Sequence, residues 1–204
     1  MRPNFKKTNN DVELYRQFCA GEEDAFRTLI SRYRNSLYMF LSRFLNRRDL
    51  VEDVFQETFL QLYLSRESFD TSRSLRPWLF TIAANKAKDT LRKQQRKLTI
   101  PIGTISDSEE MSLNDVLNVL SYDKTTPYDN LEKDELSRQV RKIIVNMPEN
   151  LREILILSYF NKFSYKQMAQ ILSIPIGTVK SRLHTAVGRF CKEWKSVSGS
   201  EREQ

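Results

Sequence analysis

Six polar side chains near the carboxyl end of the chain have the types and spacing needed to read nucleic-acid bases. They supply hydroxyl, ammonium, guanidinium and imidazole groups: Thr178, Lys180, Ser181, Arg182, His184 and Thr185. The apolar residues Val179, Leu183 and Ala186 predict a helix whose other side carries these groups. Donors on the first turns of such a helix meet base edges in the major groove, and its N-terminus attracts phosphate. An ordinary basic surface helix is the alternative, but the turn before this segment favours recognition.

A second group of basic side chains lies within residues 73–97, which hold eight basic residues and one acidic residue. Helical spacing places four polar residues near Thr81 on one face: Asn85, Lys88, Arg92 and Arg96. Arg73 and Arg76 come just before that face. Lys and Arg contact phosphates, and Asn contacts base edges. The pattern therefore predicts DNA contacts, and a solvated basic face fits the spacing equally well.

Acidic side chains dominate residues 49–70. Five polar or acidic residues there stand at helical neighbour spacing: Asp49, Glu52, Asp53, Gln56 and Glu57. A metal site is disfavoured because no histidine lies nearby and two-metal sites draw carboxylates from several elements. We therefore expect no metal. A solvated face is one alternative, and a docking face for a basic partner is the interpretation that we favour.

Catalytic chemistry finds little support in the sequence. The single histidine, His184, has no nucleophile or orienting acid near it, and two distant cysteines cannot build a zinc cluster or a disulfide framework. Five glycines leave little room for a dinucleotide-binding fold. We expect no enzyme activity and no cofactor. Since no apolar run could span a bilayer and no secretory signal opens the chain, we expect no membrane insertion and a cytoplasmic location.

The net charge of +7 conceals an alternation along the 204 residues. Residues 73–97 carry +7 and residues 134–195 carry +6, whereas residues 49–70 and 98–133 carry −5 each. This alternation indicates two anion-binding units joined by an acidic linker.

Apolar periodicity predicts helices throughout the first unit, residues 10–97. An N-cap at Asn10 and a C′ glycine at Gly21 predict a short helix over Asp11–Ala20. Steps of three and four indicate a long helix over Ala25–Asn46 and a third over Val51–Ser65. A polar stretch follows, and Pro77 suits the first position of a fourth helix.

Residues 98–133 lose this period and predict a flexible acidic linker, because they are too many for a connection inside a compact domain. One weak helical turn is expected at Leu113–Leu120. In the second unit, residues 134–195, a capping box at Ser164 starts a short helix, and a turn at Ser173–Pro175 leads into a basic helix. We therefore predict an all-α protein with two small helical domains, the second a helix-turn-helix.

Three motifs stand in order along the two units. The first is Asp49–Leu60, and the second is Arg76–Asn85, continued to Asp89 and Arg92. The third lies in four segments: Leu157–Phe160, Ser164–Tyr165, Met168–Leu172 and Ile176–His184. In turn, these motifs resemble conserved region 2.2, regions 2.3 and 2.4, and region 4.2 of the extracytoplasmic-function group of bacterial RNA polymerase sigma factors.

The resemblance implies a dissociable subunit that binds core RNA polymerase and promoter DNA to start transcription and catalyses no reaction itself. The acidic set at residues 49–57 would dock on the polymerase clamp helices. The six residues Arg73, Arg76, Asn85, Lys88, Arg92 and Arg96 would hold the melted strand of the −10 element. The set at residues 178–185 would enter the −35 major groove, with the outer surface of that unit against the polymerase flap. An anti-sigma factor is a further expected partner.

One stretch departs from the family pattern. Members often continue the recognition helix with Arg-Ala-Arg, whereas this chain has Thr185-Ala186-Val187-Gly188-Arg189. Two frequent basic positions are absent, and Gly188 weakens a helix by about 1 kcal/mol relative to Ala.

Two other functions fit part of the sequence. A stand-alone helix-turn-helix regulator would use residues 134–195 and leave the acidic helix without a role. A metal-dependent nucleic-acid enzyme would use the acidic helix carboxylates instead.

Overall fold

A computed structural model describes residues 11–98 and 130–199, and within them every regular element is helical. The first unit contains α1 (Asp11–Cys19), α2 (Glu23–Leu45), α3 (Arg48–Leu64) and α4 (Leu75–Leu98). The second contains five elements: α5 (Asn130–Val145), α6 (Glu149–Leu155), a π-helical turn (Ile156–Phe160), α7 (Tyr165–Leu172) and α8 (Ile176–Gly199). The prediction of an all-α chain with two helical domains is confirmed. Most of the predicted linker, with the turn expected at Leu113–Leu120, lies outside the described residues.

The first unit is built around α2, whose apolar residues recur every three or four positions. They form one fully buried stripe: Leu29, Tyr33, Leu37, Phe40, Leu41 and Phe44. A residue with positive φ lies on each side of α2: Gly21, with a φ of +98°, precedes it, and Asn46, with a φ of 55°, follows it. These positions end a helix without adding residues, so α1 and α3 can fold back on α2.

Helix α4 begins at Leu75, two residues before the predicted start at Pro77. Proline is tolerated there because the first four amides of a helix have no partner within it. The loop before α4 is fixed by aromatic packing: Phe69 stacks on Trp78 with ring centroids 4.4 Å apart and meets the Tyr15 ring at 4.9 Å. The polar loop is therefore held against the core at its centre.

The second unit contains the predicted helix-turn-helix. Ser164 and Gln167 form the capping box, with Gln167 N donating to Ser164 Oγ at 3.3 Å and Ser164 N donating to Gln167 Oε1 at 2.9 Å. Ser173 adopts a left-handed φ of 52° that ends α7. The last helix continues to Gly199, beyond the predicted end near Trp194.

The two units pack against each other, which the sequence pattern did not predict. Helix α4 lies against α7, and α2 contacts α5, α6 and the π-helical turn. Phe80 of α4 meets Phe163, just before α7, edge to face at 4.9 Å. One continuous apolar core therefore runs through both units.

Gly188 offers a direct test of the helix assignment for α8. Its backbone is helical and a Cβ there would meet nothing within 4 Å, so Gly188→Ala should raise the free energy of unfolding by about 1 kcal/mol. The matched control is Gly21→Ala, which should destabilise the chain because Gly21 has a positive φ. Chemical denaturation measures both changes, and a destabilising Gly188→Ala would contradict a regular α8 at this position.

Candidate nucleic-acid interface

The recognition set lies on the outer side of α8, as predicted. Val179, Leu183 and Ala186 are buried against the rest of the unit. Four of the six predicted residues are exposed and two are half-buried: Lys180, Ser181, His184 and Thr185, then Thr178 and Arg182. The Thr185 hydroxyl donates to the Ser181 carbonyl of the same helix at 3.0 Å. The side of α8 that faces away from the core is thus a continuous polar surface.

Four residues of the second predicted set lie on a solvent-facing surface. Asn85, Arg92 and Arg96 are exposed along α4, and Arg73 is exposed in the loop before it. The two arginines nearest to acids make surface ion pairs, Arg73 with Asp70 at 3.3 Å and Arg92 with Asp89 at 3.2 Å. Such exposed pairs contribute little free energy, so a phosphate can replace the carboxylate at low cost.

Arg76 and Lys88 have a different environment from the other four. Arg76 donates from Nη2 to the Asn161 carbonyl at 2.6 Å, and its guanidinium stacks over the Phe163 ring at 4.3 Å. The Lys88 ammonium lies 3.4 Å from Glu153 Oε1. Two of the cations predicted to hold the −10 strand therefore contact the second unit in this structure.

Glu153 is a buried carboxylate at the boundary between the units, 5% exposed. Burial raises the pKa of Glu153, while the charges of Lys88 and Arg182 lower it and that of Glu149 raises it further. Its Oε1 atom makes no well-formed hydrogen bond to the residues that the structure describes. An ionised carboxylate is therefore only partly compensated at this position.

Arg152 and Asn161 complete this boundary, and neither they nor Glu153 belong to a site that the sequence pattern predicts. Arg152 Nη1 donates to the Phe44 carbonyl at 2.7 Å, where it caps the C-terminus of α2. The Asn161 amide donates to the Ser36 carbonyl at 3.4 Å. The sequence does contain a sign of this boundary, because two adjacent charged residues, Arg152 and Glu153, interrupt the apolar run 151–157. Charged residues are almost never fully buried unless they have a partner.

The acidic set lies along one side of α3 and is largely exposed. Asp49, Asp53, Gln56 and Glu57 are exposed, and Glu52 is half-buried. Glu52 pairs with Arg48 at 2.9 Å, and Glu57 pairs with Lys86 of α4 at 3.1 Å. Arg47 donates to Asp49 and lowers the pKa of that carboxyl. The side is a charged surface that a basic partner can contact.

An apolar cleft of about 260 Å³ opens on the surface of the second unit. It lies between α5, the end of α6, the π-helical turn and α8, and eight residues line it: Val140, Ile144, Leu155, Tyr159, Phe160, Val187, Phe190 and Cys191. Tyr159 and Phe160 are large side chains left exposed at its rim, 52% and 38% respectively. An exposed apolar surface of this kind is suited to a protein partner.

Residues 11–98 and 130–199 hold no group of three His, Cys, Asp or Glu side chains arranged to bind a metal ion. The same residues form no helix long and apolar enough to cross a bilayer.

Both units match known protein families. Residues 29–97 match the family model "Sigma-70 region 2", and residues 137–189 match "Sigma-70, region 4". The chain is 35% identical to the ECF RNA polymerase sigma-E factor of Haemophilus influenzae, over 86% of this chain and 90% of that protein. It is 30% identical to the ECF RNA polymerase sigma factor SigW of Bacillus subtilis, over 83% and 88%.

Solved structures share the fold. CnrH, solved in complex with the cytosolic domain of CnrY, superimposes with a TM-score of 0.64 at 21% identity, covering 91% of this chain and 97% of that one. RpoE of Bartonella quintana, solved with the anti-sigma factor NepR, gives 0.62 at 23% identity, covering 83% and 96%.

The buried carboxylate predicts how stability depends on pH. Because the pKa of Glu153 is raised in the folded chain, the folded state holds this proton to a higher pH than the unfolded state does. Stability is therefore lost as pH rises from the ordinary glutamate range through the raised pKa. The Glu153→Gln side chain stays neutral at every pH. The free energy of unfolding of this variant, relative to that of the wild type, should therefore be higher at pH 8 than at pH 4, as measured by urea denaturation. A difference that does not grow over this range would contradict the burial-driven shift.

Proposed function

We propose how the surfaces of this chain divide the work of transcription initiation, from the premise that the chain belongs to the extracytoplasmic-function group of bacterial RNA polymerase sigma factors. It is an alternative sigma factor: it binds core RNA polymerase, recognises promoter DNA and directs initiation. The observation that supports this most directly is the presence of both family regions, in order, on one chain. The roles of individual residues follow from their positions and chemistry.

The exposed side of α8 is proposed to enter the major groove of the −35 element. Lys180 and Arg182 can donate hydrogen bonds to guanine or phosphate oxygens. The other members of the set supply hydroxyl groups (Thr178, Ser181 and Thr185) and an imidazole (His184). The N-terminus of α8 points unpaired amides toward the DNA backbone and so favours a phosphate there. Residues 185–189 contain one basic side chain, Arg189, so the cations of the predicted recognition set are Lys180 and Arg182.

The basic side of α4 and the loop before it are proposed to hold the melted strand of the −10 element. A base taken out of the stack costs a few kcal/mol, which contacts to the base and to the phosphates must offset. The residues assigned to this task are Arg73, Arg76, Asn85, Lys88, Arg92 and Arg96. Asn85 is the amide of the set, and therefore the member suited to hydrogen bonding with a base edge.

The acidic side of α3 is proposed to dock on core polymerase through Asp49, Glu52, Asp53, Gln56 and Glu57. Exposed carboxylates steer a basic partner and set its orientation. The apolar cleft beside Tyr159 and Phe160 is proposed as a second contact with polymerase, in which it binds the polymerase flap. Two contacts on one chain would strengthen each other through effective concentration.

The remaining assignments depend on these partners. We propose that the chain catalyses no reaction itself and that polymerase supplies the chemistry, in the cytoplasm where polymerase and chromosome are found. An anti-sigma factor is proposed as its regulator, since the solved relative from Bartonella quintana is bound to one.

Charge reversal on α3 tests the polymerase contact. The triple variant Glu52→Lys, Asp53→Lys and Glu57→Lys should lose at least tenfold in affinity for core polymerase, because like charges at an interface cost several kcal/mol in total. Fluorescence anisotropy of the labelled chain titrated with core enzyme measures the change.

The matched control reverses three exposed acids at the start of α2: Glu22, Glu23 and Asp24. This variant has the same net charge and should retain affinity for core polymerase. Equal binding by both variants would contradict the assignment of the acidic side of α3 as a polymerase contact.

Alanine substitutions on α8 test the −35 contact. Lys180→Ala and Arg182→Ala should each weaken promoter binding by the holoenzyme, with about 1–3 kcal/mol lost where a bidentate base contact is removed. Lys192→Ala, an exposed lysine near the end of the same helix, is the control and should have a smaller effect. Footprinting over the −35 element gives the readout, and unchanged protection in both variants would refute the assignment.

A further inference from the structure

A basic pocket of about 440 Å³ lies between α5 and the second half of α8. Arg138 and Lys142 stand one turn apart on α5 and line it together with Arg189 of α8, and all three side chains are exposed. Glu193 is the one acid among the described residues that line it. Three cations against one acid make this concave surface attractive to an anion.

The basic pocket is separate from the apolar cleft that we assign to the polymerase flap. The cleft is lined by Val140 and Ile144 of α5, whereas the basic pocket is lined by Arg138 and Lys142 of the same helix. Residues two apart on a helix do not share a face. The two sites therefore lie on different sides of α5, and a ligand of one leaves the other accessible.

The base of the basic pocket belongs to the core. Ile143 and Met147 line it and are only 5% and 2% exposed. The Met147 carbonyl also accepts a hydrogen bond from Arg152 Nη2 at 3.0 Å, which fixes the turn after α5 against α6. Because this part of the pocket is in place before any ligand binds, less entropy is lost when the cations close on an anion.

Arg189 connects the basic pocket with the predicted recognition set. A neighbouring concave surface of about 540 Å³ is lined by His184 and Thr185 of that set and also by Arg189. Residues 176–192 of α8 contain no acid and four cations: Lys180, Arg182, Arg189 and Lys192. The polar surface of the recognition set therefore continues along α8 into the basic pocket.

The length of α8 places Arg189 beside the DNA backbone when the recognition set is in the groove. Arg189 follows Arg182 by seven residues, which is about 10 Å along the helix axis. The major groove of B-DNA is about 8.5 Å deep. A recognition helix meets base edges with its N-terminal residues, so a side chain two turns later lies at the level of the phosphates.

We propose that the basic pocket holds a phosphate of the DNA backbone next to the −35 element, through Arg189 of α8 and Lys142 and Arg138 of α5. The inference rests on the proposed function, because it takes α8 to be the recognition helix. Phosphates carry no sequence information, so this contact sets the orientation of the second unit on the duplex without selecting the sequence. Glu193 repels the same phosphate and limits the affinity.

Salt dependence tests the phosphate contact. The measurement is the affinity of the holoenzyme for a promoter duplex that the wild type has selected from a random-sequence library. Arg189→Ala and Lys142→Ala should each bind about threefold to fivefold more weakly, as for an exposed ion pair. The double variant should lower the slope of log affinity against log salt concentration by about 0.9, the value for one phosphate. Glu193→Gln should bind more tightly than the wild type.

The matched control removes one cation from each of the same two helices. Arg141 of α5 and Lys195 of α8 are exposed, and neither lines the basic pocket. The control Arg141→Ala with Lys195→Ala should keep the affinity and the salt slope of the wild type, and circular dichroism checks that both double variants retain their helix content. Equal affinities and equal slopes for the two double variants would overturn the inference.

Neutral phosphates locate the contact on the DNA. A series of promoter duplexes carries one methylphosphonate, an uncharged replacement for a phosphate, at successive positions on both strands around the −35 element. At one position the replacement should weaken binding by the wild type and have no further effect on Arg189→Ala with Lys142→Ala. If no position behaves in this way, the anion in the pocket is not a DNA phosphate and the inference is wrong.

Base substitutions in the −35 element separate this inference from the proposed function. They should weaken the wild type and the pocket double variant by the same factor, because a phosphate contact does not read sequence. If Arg182→Ala weakens promoter binding while the pocket variant matches its control, the inference alone fails. If Lys180→Ala and Arg182→Ala both leave −35 protection unchanged, the recognition-helix assignment fails and the inference fails with it.

Discussion

The edge-to-face contact between Phe80 and Phe163 joins the two halves of this protein. Phe80 is fully buried although it lies on the helix that carries the basic surface, and Phe163 is 4% exposed just before the helix-turn-helix. Once these rings meet, the polar groups beside them must find partners at the same boundary, because an unpaired buried polar group costs free energy. Arg76 binds the Asn161 carbonyl, Arg152 caps α2 and Lys88 faces Glu153.

At this boundary, charged residues of the two units pair with each other. Along the chain, the acidic segments read as surfaces for a basic protein and the basic segments as surfaces for DNA. Glu153 belongs to neither acidic segment, since it lies in the basic second unit, and yet it supplies the negative charge that neutralises Lys88. One carboxylate of the basic second unit therefore pairs with a cation of the first unit's basic surface.

Local patterns predicted the helices well because local physics forms them. The stripe on α2, the capping box at Ser164 and the turn at Ser173 depend on residues within a few positions of each other, and all three are present. The start of α4 was missed by two residues because proline fits several positions of a first turn. The exposure of Lys180, Ser181, His184 and Thr185 followed from the apolar period of α8.

By itself, the sequence determined the helical class, the order of the two units, the side of α8 that faces outward and the family to which the chain belongs. These features depend on residue spacing and on motifs, both of which are visible in the order of residues along the chain. Only the tertiary structure decided that Arg76 and Lys88 contact the second unit and that Glu153 is buried, because their partners lie 85 and 65 positions away in the chain. Periodicity tells which side of a helix is apolar, but it cannot tell which helix of another unit will cover a polar side chain.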